Sequence, residues 1–117
     1  MFTTSVARRA GLAALGLLVL AASAGAQPAD RFITVNGLRL HYVDWGGDGK
    51  PVLILVHGLD RVARTFDHVV PHLSPRFRVI AYDMRGHRDS AWDPQARYVV
   101  EDHASDLEGL VTQLKLR

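Results

Sequence analysis

The 117-residue sequence has no cysteine, which excludes disulfides, thiolate metal sites, a lipidated cysteine and a cysteine nucleophile. It also lacks an apolar run long enough to span a bilayer. The longest, Ala10–Ala22, is diluted by Gly11 and Gly16 and falls short of the roughly 20 residues that a membrane helix needs. Acidic residues are missing from the first 26 positions: all 12 Asp+Glu lie beyond them, whereas two of the 14 Lys+Arg, Arg8 and Arg9, lie within. The remainder is therefore balanced in charge, and the formal net charge of +2 belongs to the first segment. No basic stripe with interleaved aromatics is left, so nucleic acid is not an expected partner. Internal repeats and low-complexity tracts are absent too.

The first segment has an order of its own. Arg8-Arg9, the apolar Ala10–Ala22 and the small residues of Ala24-Gly25-Ala26 form a secretory signal pattern with cleavage expected before Gln27. The expected organisation is thus a signal peptide over 1–26 and one domain over 27–117, exported to the periplasm or beyond by the Sec or the twin-arginine route, with no stable membrane anchor after cleavage. A domain of that size buries only about 60–65% of its unfolded-chain surface and has a marginal core.

Arg31–Val35 alternates in the manner of a strand, Asn36-Gly37 supplies two residues that tolerate positive φ, and Leu38–Trp45 resumes the alternation, which predicts an antiparallel hairpin. Gly46-Gly47-Asp48-Gly49 is a loop. Gly49-Lys50 is not followed by Ser or Thr and lacks the upstream Gly, so it is no phosphate-binding loop. Val52–Val56 is continuously apolar, which predicts a strand covered on both faces of a parallel sheet. Phe66, Val69, Val70 and Leu73 share one helical face, with Thr65 as N-cap and Pro71 as a kink or early stop. Phe77–Tyr82 is the next buried strand, reached by a parallel crossover. Ala104, Leu107, Leu110, Val111 and Leu114 then define a second helix over Val100–Leu114, with Glu101 and Asp102 in its first turn and Lys115 and Arg117 at its end, matching the macrodipole. The expected fold class is α/β: a hairpin, two parallel strands and two crossover helices, an incomplete sheet.

Two strand-end motifs carry chemistry. His57-Gly58-Leu59-Asp60 closes the first apolar strand, and Asp83-Met84-Arg85-Gly86-His87-Arg88-Asp89-Ser90 follows the second. In this order and on these elements they resemble the α/β-hydrolase family, whose second motif is D-x-R-G-x-G-x-S. The resemblance runs from about Arg31 to the last residue. It implies that Leu59 offers a backbone N–H to an oxyanion hole, with His57 and Gly58 ordering the loop; one such donor is worth roughly 3 kcal/mol. Arg88 departs from the pattern, standing where the family has its second Gly. If that position requires positive φ, the substitution costs on the order of 1–2 kcal/mol.

The nucleophile elbow, G-x-S-x-G or its Asp counterpart, does not occur in the sequence, nor do the acid and His that follow it in the family. Ser74, Ser90 and Ser105 are not flanked by glycines at that spacing, and each has a structural reading: loop, turn motif and helix. His68 and His72 are spaced i, i+4, but no Glu follows His68 and Pro71 intervenes, so they are expected to be exposed helix histidines, not zinc ligands. His41, His87 and His103 join no constellation visible in the sequence.

The resemblance thus implies an exported hydrolase of ester, amide, epoxide or carbon–halogen bonds, without cofactor or metal, acting on a small-molecule substrate. Asp60 stands where some epoxide- and halide-processing relatives carry Pro, which points away from those branches. The alternative is a truncated, non-catalytic fragment or decayed gene product with residual binding at the Leu59 loop; an unrelated binding module on a similar sheet is a third. In the family the Val52–Val56 strand is flanked by a further strand, so these residues alone are expected to expose an open edge and self-associate.

Overall fold

The computed structural model describes residues 27–116. The expected signal peptide over 1–26 and Arg117 lie outside the described residues. Strands β1 (Ala29–Val35), β2 (Leu38–Asp44), β3 (Val52–Val56) and β4 (Arg78–Tyr82) form one sheet in the order β1-β2-β4-β3. The hairpin closes at Asn36 and Gly37, with φ of 51° and 76°. Both central residues are left-handed, the requirement of a type I′ turn. β2 pairs antiparallel with β4, Val43 facing Ala81, and β3 runs parallel to β4 in the register Val52↔Arg78 to Val56↔Tyr82. Among the described residues no helix is long and apolar enough to cross a membrane.

Side chains of alternate parity along the strands build two cores, one on each face of the sheet. Val35, Leu40, Tyr42, Ile80 and Tyr82 pack with Leu110 of helix α2 (Val100–Gln113), joined by Leu107 and Leu114. On the other face Val43 and Ala81 pack with Ala63, Leu55 and Phe66, under a 3₁₀ turn over Ala63–Phe66. Gly109 brings α2 close to the sheet: a Cβ there would overlap Cγ1 of Val35.

Several local expectations are corrected. The segment read as one helix from Thr65 divides into the 3₁₀ turn and a single-turn helix α1 (Val70–Leu73), with Val62 and Val69 at the N-cap positions. Thr65 lies inside the first piece, where its Oγ1 accepts the Val62 N–H at 3.3 Å. Pro71 falls in the first turn of α1, where its missing N–H would have had no intrahelical acceptor. His68 consequently lies in the turn between the two pieces, and although both His68 and His72 are exposed they do not share a helix. β2 is buried almost throughout, while β3 is only half-buried and Val56 is 44% exposed. The cover expected on both faces of β3 is thus incomplete, while its place at the sheet edge is the one expected for these residues alone. Finally, Lys115 lies past α2 at φ 52°; its N–H donates to the Thr112 carbonyl and that of Leu116 to Val111, both at 3.1 Å. That pattern is a Schellman closure, with Lys in the place usually taken by Gly.

Candidate active site

The loop after β3 and the turn after β4 leave the same, C-terminal end of the parallel pair, the end at which open α/β sheets bind ligands. His57 joins them. Its Nε2 accepts the Met84 N–H at 2.9 Å and its Nδ1 donates to the Gly58 carbonyl at 2.8 Å. This geometry fixes one neutral tautomer, and burial holds the imidazole below its ordinary pKa, outweighing the opposing bond to Gly58. His57 has no free nitrogen with which to take a substrate proton. Leu59, by contrast, is 82% exposed, and among the described residues neither its N–H nor that of Asp60 has an acceptor. Asp60 is left-handed at φ 57°.

The Asp83–Ser90 turn is tied on every side. Asp83 is fully buried; its Oδ1 accepts the Ala63 N–H at 2.7 Å, and its Oδ2 faces His41 Nδ1 at 2.7 Å. The Ser90 hydroxyl donates to the Asp83 carbonyl at 2.5 Å and accepts the His41 N–H at 2.8 Å. That bonding leaves Ser90 a structural part. Arg85 makes a two-pronged pair with Asp106 of α2, Nε and Nη2 each at 2.6 Å, while Nη1 reaches Asp93 at 3.2 Å and the Arg97 carbonyl at 2.9 Å. The hydrogen bonds to Asp106 hold the guanidinium above its ordinary pKa. Gly86, at φ 74°, lies against Tyr98, whose ring a Cβ would meet at 2.9 Å. Arg88 is left-handed at φ 42°, so the position where the family carries Gly does require that conformation here.

Other sites fall outside this arrangement. Ser74 caps the end of α1, and the Ser105 hydroxyl accepts from Asn36 at 3.0 Å. His41, which joined no constellation in the sequence, lies between two carboxylates: Asp83 on Nδ1 and Asp30 on Nε2 at 2.9 Å, with Asp30 in turn bonded to Arg64 at 2.5 Å. Burial would raise the Asp30 pKa, but the hydrogen bonds from His41 and Arg64 lower it on balance. His41, Asp83 and Asp89 bring three potential ligand atoms within 4.8 Å of one another. His41 and Asp83 are already bonded to each other, so a cation there would have to break that pair. Sequence reasoning missed Asp93 and Asp106, the partners of Arg85. The signal available was an acid at the first turn boundary after the motif and another on the inner face of the second helix.

Between the two loops opens a cleft of about 570 Å³, lined by Leu59–Val62, the Arg85–Arg88 turn, Trp92, Tyr98 and His103. His87 lies edge-on to His57 at 4.8 Å, and Trp92 meets Tyr98 edge-on at 6.3 Å.

A parallel strand pair with a cleft at its C-terminal end defines an α/β sheet protein whose cleft opens at the end where such sheets bind ligands. The comparisons give the family: the model for the alpha/beta hydrolase fold matches residues 51–117, and the chain belongs to that family. It is similar to the 2-heptyl-3-hydroxy-4-quinolone dioxygenase AqdC2 of Rhodococcus erythropolis, 44% identical over 57 residues, covering 47% of this chain and 21% of the relative. It is also similar to epoxide hydrolase A of Mycobacterium tuberculosis, 37% identical over 87 residues, covering 72% of this chain and 27% of that protein. The crystal structure of epoxide hydrolase A from Mycobacterium thermoresistibile superimposes with a TM-score of 0.69 at 32% identity, over 76% of this chain and 28% of that one. The chain spans about a quarter of the length of these proteins.

Proposed function

We propose that these residues form the oxyanion-side wall of a hydrolase active site, in which the Leu59 N–H stabilises developing negative charge while His57 and Gly58 order its loop. One observation carries the reading. The His57 ring spans Gly58 and Met84, so the backbone donors at Leu59 are held by a rigid neighbour at the mouth of a cleft, and a preorganised donor stabilises charge without reorganising in the reaction. The nucleophile, the acid and the catalytic His are not among the 117 residues, and a lone donor polarises a carbonyl without starting acyl transfer. The reaction class is therefore hydrolysis of an ester or related bond in the whole enzyme, with binding and polarisation as this segment's share. The epoxide hydrolase relatives weigh against using Asp60 to set the epoxide branch aside. The dioxygenase relative is a reminder that a shared fold does not fix the reaction.

The test is titration with butylphosphonate, a tetrahedral anion, followed in ¹⁵N–¹H spectra. The Leu59 and Asp60 amides should move together; perturbation confined to other amides would reject the oxyanion assignment. No turnover of p-nitrophenyl butyrate is expected from these residues, and turnover lost on Ser90→Ala would overturn the structural role of Ser90. Export with cleavage before Gln27 belongs to the same proposal. An intact mass starting at Gln27 supports it, while Met1–Ala26 retained in a membrane fraction means an anchor. Self-association through the β3 edge is the remaining part, and a monodisperse monomer in sedimentation would refute it.

A further inference from the structure

From the cleft's charge and the left-handed Arg88 on its wall, we infer that it takes a ligand with an apolar or aromatic body and a single carboxylate, the carboxylate lying between Arg61 and Arg88. The inference rests on this cleft being the substrate-binding face. Arg61 and Arg88 both line it and are exposed; among the described residues neither has a carboxylate partner, whereas Arg64, Arg78, Arg85 and Arg97 all do. Arg85 also lines the cleft, but Asp93 and Asp106 neutralise it. Asp60 is the opposing charge on the rim, which leaves one surplus positive charge, suited to a monoanion.

Arg88 holds that position at φ 42°, in a turn whose motif offers Gly. Backbone strain kept where a strain-free residue would fit is a marker of function, and a guanidinium is the side chain best matched to a carboxylate. The body of the ligand has its own wall. Leu59 and Trp92 are 82% and 73% exposed beside Tyr98, a large apolar surface on a small domain. His103, also lining the cleft, has a buried Nδ1 without a hydrogen-bond partner, and a polar group of a bound ligand would satisfy it.

The probes are 4-phenylbutyrate, its methyl ester and 4-phenylbutylamine, titrated calorimetrically into the full chain. The carboxylate should bind about tenfold more tightly than the ester, since two exposed ion pairs contribute about that much, and the amine should bind most weakly. Raising NaCl from about 50 to about 500 mM should weaken the carboxylate alone. Arg88→Gly, which relieves the strain and so keeps the fold, should lower the carboxylate preference about threefold; Arg61→Gln should do the same without touching the turn. Equal affinity for acid and ester, or a preference unchanged in both variants, would overturn the inference. Selectivity that depends on Arg88 with Leu59 amides unmoved by butylphosphonate would reject the oxyanion assignment and leave this site standing; the converse would reject this site alone.

Discussion

The loop leaving β4 and the loop leaving β3 line one cleft but are held in opposite ways. In the first, Asp83, Arg85 and Ser90 are buried and bonded, through Asp106 to α2 and through His41 to the hairpin. In the second, Leu59 and Asp60 stand exposed, and the loop is fastened at its two ends, by the His57 ring and by the Ala63 N–H on Asp83. Both fastenings end on the β4 turn. The buried turn is thus the reference frame, and the exposed loop presents backbone donors to the cleft. One wall thus spends its polar groups on internal bonds, and the other leaves the Leu59 and Asp60 N–H groups without an acceptor among the described residues, as the proposed oxyanion role requires.

The largest effect should come from breaking that reference frame. Arg85 and Asp106 are 2% and 0% exposed, and removing one partner of a buried ion pair strands the other at a cost of about 3–5 kcal/mol. Asp106→Asn should therefore unfold much of the population in water, read as a collapse of the urea midpoint. A shift no larger than that of a surface substitution would mean that α2 is not what holds the turn.

Next comes the closeness of α2 to the hairpin. Ala in place of Gly within a helix normally gains about 1 kcal/mol. At Gly109 the new methyl overlaps Val35, and overpacking costs about 1–3 kcal/mol. Gly109→Ala should thus lower stability, and it should lower it less, or raise it, in a Val35→Ala background. Identical effects in both backgrounds would place the strain elsewhere.

His57 sharpens the comparison because it is the link between the two walls. Its pKa in the fold lies below the ordinary value of 6.5, so between those two values the unfolded chain binds more protons than the folded one. Stability then rises with pH through that window: the contribution is complete above about 6.5 and is lost as pH falls towards the folded pKa. His57→Gln retains a donor and an acceptor without a titrating group. It should cost about 1 kcal/mol at neutral pH from imperfect bonding and flatten the fall in unfolding free energy on the acid side of neutrality. An unchanged slope would show that other groups carry it.

What was legible in the sequence follows the range of the interactions. The hairpin turn was readable because positive φ at Asn36 and Gly37 is a local property, and α2 because its apolar face repeats within the helix. The paired motifs gave the family and the left-handed demand at Arg88. Burial of the strands was not readable. β2 alternates as if half-exposed but lies second in the sheet, with cores on both faces, while the apolar run of β3 reads as covered and its edge position was legible only through the family's strand order. Strand order is a non-local fact, and the same apolar run suits either place. The partners of Arg85 and His41 were hidden for the same reason: Asp106 is 21 residues from one and Asp83 is 42 from the other. The divided helix was hidden by the same range, since the Ala63 N–H at the start of the 3₁₀ turn is taken by Asp83, 20 residues further along the chain.

The smallest effect, and the one opposite in sign, is expected at Arg88. It is the strained residue of the otherwise saturated wall, left-handed at φ 42° and exposed, and among the described residues its guanidinium has no carboxylate partner to set against the cost of that conformation. Glycine adopts it freely, and although glycine loses more entropy on folding, the balance should favour Arg88→Gly by about 1 kcal/mol. The midpoint of thermal unfolding should rise while affinity for 4-phenylbutyrate falls, because the guanidinium that strains the turn is also the one that meets the carboxylate. A variant that is stabilised with its selectivity intact would leave Arg88 a plain imperfection of the turn. A variant that is destabilised would show that the side chain makes a contact worth more than the strain, and the two walls would then be held more alike than their exposure suggests.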